Sequence, residues 1–107
     1  VPHIDAFVFG HSHRLFPNKE FDKSPNADIA KGTVKGVPES MAGYWANNIS
    51  VIDLTLAQHN GKWLVADGKA ALRPIYDAEN KKATTESDAE LTALLDVSLS
   101  VIPDACE

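Results

Sequence analysis

The chain has 107 residues, the size of one modest domain, and its 44% hydrophobic and 23% charged content excludes collagen, a long coiled coil and wholesale disorder. Ten Lys and Arg against fifteen Asp and Glu give a net charge of -5, the wrong sign for gripping a long nucleic acid through many phosphate contacts. No apolar run approaches the roughly 20 residues that span a bilayer, and no basic segment followed by an apolar stretch opens the chain, so no membrane partner and no export signal are read in these residues.

Ile4 to Phe9 is a short apolar run rich in β-formers that ends at Gly10, the pattern of a buried strand entering a loop. From Gly10 to about Lys35 the apolar period is lost, and Pro17, Asn18, Pro25, Asn26 and Gly32 punctuate the chain, which predicts a long surface loop. Gly36 to Gly43 reads as a short strand. Ile49 to Leu56 alternates with both faces partly apolar, so this strand is expected to be covered on both sides. Asn60-Gly61 predicts a tight turn, because both residues tolerate positive φ. The return strand runs from Lys62 past Gly68, where a bulge is expected, to Ile75, giving a β-hairpin over 49-75.

After Tyr76-Asp77, mixed charges predict a solvated connection. A helix follows, with Thr85 or Ser87 as its N-cap and Leu91, Leu94, Leu95 and Leu99 on one face. The end, Ser100 to Glu107, reads as frayed, and its Cys106, the only cysteine, excludes an internal disulfide and a thiolate metal cluster. One domain over 1-107 is expected. Trp45, Trp63, Tyr44, Tyr76 and Met41 are assigned to packing, His59 to a solvated turn, and His3 to the surface.

The chemistry is concentrated at Gly10-His11-Ser12-His13, delivered at the C-terminal end of the first strand, where open α/β sheets place their ligand sites. In extended backbone, residues i and i+2 project the same way, so His11 and His13 are expected to converge while Ser12 points elsewhere. Neutral imidazoles suit Zn-like and Fe-like ions, and two metals about 3.5 to 4 Å apart are the usual clamp for phosphoryl hydrolysis. Gly10 is expected to let the backbone turn close under the site. A nucleophile elbow on Ser12 is the competing enzymatic reading. Arg14 in place of the second glycine and Pro17 in place of a following helix argue against it, leaving Ser12 a supporting or loop residue. His-x-His also occurs by chance, so a noncatalytic β-rich binding or assembly module stands as the alternative.

Gly10-His11-Ser12-His13 resembles the last signature of the calcineurin-like metallophosphoesterases. The longer run Ile4-Asp5-Ala6 through Arg14, with Phe16-Pro17, Lys31-Gly32-Thr33, Gly36-Val37-Pro38, Gly43-Tyr44-Trp45, Val51-Ile52-Asp53-Leu54 and Arg73-Pro74-Ile75-Tyr76-Asp77, is similar to the bacterial 2',3'-cyclic-nucleotide 2'-phosphodiesterase/3'-nucleotidases, periplasmic relatives of the 5'-nucleotidases. The similarity covers roughly residues 1 to 85, with Ala46 standing where glycine is expected, and it fades in the tail.

The resemblance implies an α+β fold, the C-terminal portion of a four-layer α/β/β/α sandwich. It also implies a nucleotide substrate, a periplasmic location and two divalent ions such as Zn, Mn or Co, with His11 on the second metal and His13 on the first. It assigns no catalytic residue beyond these ligands. The family's earlier signatures, Asp-x-His and Gly-Asn-His among them, do not occur here, and neither does its C-terminal nucleotide-binding domain, which holds the base between aromatic rings. The chain is therefore expected to be a partial domain that holds its metals partly or not at all, is inactive alone, and self-associates through uncovered strand edges.

Overall fold

A computed structural model describes residues 3–99, with the backbone alone at 97–99, so the frayed tail and Cys106 lie outside the described residues. The apolar run before Gly10 supplies β1 (Phe7–Val8). The stretch expected to be a long surface loop instead carries β2 (Leu15–Phe16), a 3₁₀ turn (Lys19–Phe21), β3 (Ala27–Asp28) and β4 (Thr33–Val34). Two-residue strands are too short to show a period of two. Then come β5 (Val37–Ala42), β6 (Asn48–His59), β7 (Lys62–Pro74), the short pair β8 (Tyr76–Asp77) and β9 (Lys82–Ala83), and α1 (Ala89–Leu99).

β5 organises the small sheet. β1 runs parallel to it, Phe7 opposite Glu39 and Val8 opposite Ser40, while β2 pairs antiparallel with its far end, Phe16 opposite Met41. β4 pairs antiparallel with its near end and β3 lies outside β4. Lys35 and Gly36 take positive φ of 51° and 79°, and that reversal folds β4 back onto β5. β1 is not the buried strand expected: Val8 is 71% exposed, and Phe7 is exposed too.

β6 and β7 form the long hairpin, turned at Asn60 and Gly61 with φ of 50° and 76°. Its bulge falls two residues before the expected position. Thr55 faces Asp67 and Leu56 faces Val65, so Ala66 is the extra residue. Gly68 instead answers to close approach, since a Cβ there would lie 2.8 Å from Pro38 Cγ. Nor is β6 covered on both sides: beyond Ile52 it is exposed throughout, Leu56 by 52%.

The buried apolar side chains among the described residues are Phe16, Met41, Ala70 and Pro38, gathered where β5 passes under the base of the hairpin. Ser40, fully buried beside them, keeps its hydroxyl 2.6 Å from that of Ser50 and 3.3 Å from the Phe16 carbonyl oxygen. Met41 is core as expected, but Trp45, Trp63, Tyr44 and Tyr76 are all exposed. Asp88, rather than Thr85 or Ser87, caps the helix: its Oδ1 accepts from the Leu91 N–H at 2.9 Å. Leu91, Leu94 and Leu95 are exposed on that helix. No helix among the described residues is long and apolar enough to cross a membrane.

Candidate metal centre

The loop between β1 and β2 carries the two histidines. A run of rings anchors both ends: Phe7 to Phe9 at 5.7 Å, Phe9 to Phe16 at 6.2 Å, and Phe16 to Phe21 at 5.5 Å. Within the loop the Ser12 N–H donates to the Gly10 carbonyl oxygen at 2.8 Å, closing a three-residue turn centred on His11. His11 has φ 69°, the rare and strained form of that turn, and His13 has φ 59°. The extended alternation expected for His11 and His13 is therefore absent, and both sit on left-handed backbone instead. Ser12 ties the loop down, its hydroxyl donating to the sulfur of buried Met41 at 3.2 Å. Gly10 is not needed for closeness, since a Cβ there would meet nothing within 4 Å.

Both histidines are exposed. The His13 ring stacks on Tyr44, centroids 5.4 Å apart and planes 27° apart, whereas no ring partner is found for His11 among the described residues. Tyr44 opens the turn Tyr44-Trp45-Ala46-Asn47, closed by the Asn47 N–H donating to the Tyr44 carbonyl oxygen at 3.1 Å. Trp45 packs its ring edge-on to Tyr44 at 5.1 Å. Beside this turn lies an open cleft of about 430 Å³, lined by His13, Arg14, Asn18, Glu20, Tyr44 and Asn47 among others. The sequence reading missed Tyr44, Trp45 and Arg14 as members of this neighbourhood. Nothing in the spacing of the Gly43-Tyr44-Trp45-Ala46-Asn47 run separates an exposed ring from a packed one.

Two imidazoles on one loop do not by themselves fit a metal ion, which takes roughly four ligands. Among the described residues no group of three or more His, Cys, Asp or Glu side chains gathers, and His3 does not join the pair. What the loop offers is two exposed imidazoles on strained backbone, and such strain is found more often at functional positions than elsewhere.

No family model matches the chain. Over 95 residues, 89% of its length, it is 76% identical to the 2',3'-cyclic-nucleotide 2'-phosphodiesterase/3'-nucleotidase of Haemophilus influenzae and 47% identical to that of Salmonella typhimurium. The chain spans 14% and 15% of the lengths of those curated relatives. Its fold superposes on the crystal structure of the calcineurin-like phosphoesterase YfkN from Bacillus subtilis with a TM-score of 0.79 and 33% identity, over 94% of this chain and 28% of that one. Strands with one helix in the arrangement of that structure fit the expected α+β class. On this identity and this shared fold, the chain belongs to the calcineurin-like phosphoesterase family.

Proposed function

We propose that this chain is part of a metal-dependent phosphoesterase that hydrolyses 2',3'-cyclic nucleotides and 3'-nucleotides in the periplasm, and that it is inactive alone. The observation that carries the reading is the 76% identity over 95 residues to a protein named for both reactions. His11 and His13 contribute two donors toward a pair of divalent ions, and the remaining ligands come from parts of the protein beyond the described residues. When bound, such ions supply a hydroxide nucleophile and neutralise phosphoryl oxygens. The chain's own share is positional. Ser12 anchors the loop to Met41, the strained turn at His11 exposes its ring, and Tyr44 supports the His13 ring from one face. The strained loop and its anchoring favour this reading over an incidental His-x-His in a binding module.

A graft tests it. This segment replaces the matching 95 residues of the Haemophilus influenzae relative. The chimera is expected to hydrolyse a 2',3'-cyclic nucleotide, to lose activity with a chelator, and to fall at least about a hundredfold with His11→Ala or His13→Ala. The 107-residue chain is expected to show no metal-dependent turnover. Full activity in either histidine variant would overturn the assignment.

A further inference from the structure

Of the six asparagines in the chain, Asn60 is the one followed by glycine. Asn60-Gly61 is also the two-residue turn of the hairpin, and both residues are exposed, with Gln58, His59, Lys62 and Trp63 exposed around them. A Cβ on Gly61 would meet nothing within 4 Å, so no neighbour crowds its backbone nitrogen on that side. The ladder ends at the pair His59 and Lys62, which leaves the Gly61 N–H outside it, and no hydrogen bond holds that N–H among the described residues. The Asn60 carboxamide has no hydrogen-bond partner among them either.

The other asparagines are held. Asn18 Oδ1 accepts from the Glu20 N–H at 3.0 Å, and Asn80 Nδ2 donates to Asp77 Oδ2 at 2.6 Å. Asn47 Oδ1 accepts from the Tyr44 N–H at 3.3 Å and from Asn48 Nδ2 at 3.0 Å. The Asn26 carboxamide is unbonded, but the next nitrogen, that of Ala27, donates to the Ser24 carbonyl oxygen at 3.3 Å. Asp67 also precedes a glycine, yet its Oδ1 lies 2.7 Å from Lys31 Nζ, and Gly68 is buried. Among the described residues, an unengaged carboxamide beside an unengaged and unhindered backbone nitrogen is therefore found at Asn60 alone.

We propose that Asn60-Gly61 is a site of spontaneous covalent modification, in which the Gly61 backbone nitrogen attacks Cγ of the Asn60 side chain. The bond from that nitrogen to Cγ forms and the bond from Cγ to Nδ2 breaks. The Gly61 amide proton passes through solvent to the leaving nitrogen, which departs as ammonia and leaves a cyclic succinimide. Water then opens the ring. Cleavage at Cγ gives aspartate, and cleavage at the backbone carbonyl carbon gives isoaspartate, with the main chain now running through the side chain. No electrons are exchanged: asparagine and water become aspartate or isoaspartate and ammonia. Closure needs the turn to flex until the nitrogen reaches Cγ, and the exposed end of a hairpin is where a ladder opens at least cost.

The isoaspartate adds one carbon to the main chain inside a turn built for two residues, and it adds a carboxylate between His59 and Lys62. Turn geometry sets hairpin register, so the pairs His59 with Lys62 and Gln58 with Trp63 open. The docked base, where the Ala70 N–H donates to the Lys31 carbonyl oxygen at 2.7 Å, stays closed. Neither metal nor substrate takes part, so the inference stands or falls apart from the phosphoesterase reading.

The test ages the 107-residue chain for weeks in neutral buffer and maps its peptides by fragmentation mass spectrometry. Exchange of NH2 for OH is expected at residue 60 at least about tenfold faster than at Asn18, Asn26, Asn47, Asn48 or Asn80, a lead worth about 1.4 kcal/mol in barrier. Isoaspartate should be the main product, with ammonia released in equal amount. Asn60→Gly keeps a residue that accepts positive φ and removes the carboxamide, so its ammonia release should fall at least about tenfold. Hydrogen exchange in the aged chain should quicken at Gln58 and Lys62 and stay unchanged at Ala70. Another asparagine converting first, aspartate formed without isoaspartate, or undiminished ammonia from the Asn60→Gly chain would each overturn the proposal. Unaltered exchange at Gln58 and Lys62 in fully converted chain would overturn the loss of register.

Discussion

Ala46 sits at φ 55°, where a Cβ crowds the backbone at a cost of roughly 1–2 kcal/mol, while glycine pays roughly 0.5–1 kcal/mol of chain entropy to be fixed. Ala46→Gly is therefore expected to stabilise the chain by about 0.5–1 kcal/mol, raising the thermal midpoint by a few degrees in circular dichroism; a lower midpoint would contradict the geometry. The expectation of glycine at this position, drawn from family resemblance, thus has a backbone cause. Gly10 teaches the opposite lesson, since no close approach explains it. The loop that bears the two histidines was legible as the end of the first strand, because the apolar run stops at Gly10. Tyr44 and Trp45 were not, because aromatic residues in a β-rich chain usually pack, and nothing in their spacing tells a covered ring from an exposed one.

Glu39 carries the residue-scale pH effect. It lines a cleft with Ile4, Phe7, Val37 and Lys35, and burial there pushes its carboxyl above the usual carboxylate range. A folded-state value above the unfolded one means that the folded chain holds the proton more tightly. Stability therefore falls as pH rises through that window, and the full penalty applies above it. Glu39→Gln removes the charge at similar volume. Urea denaturation should show the variant more stable than the parent at pH 7, with the gap closing below about pH 4. A gap that widened toward acid would reverse the sign.

At the scale of elements, the hairpin of β6 and β7 docks on the small sheet through backbone rather than large side chains. The Ala70 N–H donates to the Lys31 carbonyl oxygen at 2.7 Å, and Lys31 Nζ lies 2.7 Å from Asp67 Oδ1 in an exposed ion pair. Gly32, at φ 70°, lets the chain pass: a Cβ there would collide with the Ala70 carbonyl group and lie 2.9 Å from its Cβ. Gly32→Ala meets both the backbone and the steric objection, and a loss of about 3 kcal/mol or more is expected, with the hairpin undocked. Amide hydrogen exchange would show it as lost protection at Ala70; retained protection would mean that the two elements separate more easily than the contact implies. The hairpin was legible because Asn60-Gly61 sits between two long β-patterned runs. β2, β3 and β4 were not, since a two-residue strand is defined by its partner on β5 and leaves no period of its own.

For the whole molecule, the radius of gyration of 18.5 Å exceeds the roughly 13 Å expected of a compact chain this long, and the extents are 58 × 37 × 25 Å. The hairpin accounts for much of the apolar surface left uncovered. Ile49, Leu54, Leu56, Trp63 and Leu64 are each at least 40% exposed, far more apolar area than the few buried residues remove from water. Leu54, Leu56 and Trp63 share one face of the hairpin and Ile49 and Leu64 the other, so either further polypeptide covers these faces or copies of the chain cover one another. For the 107-residue chain alone, we therefore expect self-association at roughly 100 µM in analytical ultracentrifugation. Net charge separates this from ordinary ion pairing. At -5 the copies repel, so salt should strengthen an apolar association by screening that repulsion, and should weaken one built on ion pairs. Leu56→Lys with Leu64→Lys should return the chain toward monomer. A clean monomer for the unaltered chain at every salt concentration would show that the exposed hairpin tolerates water without a partner.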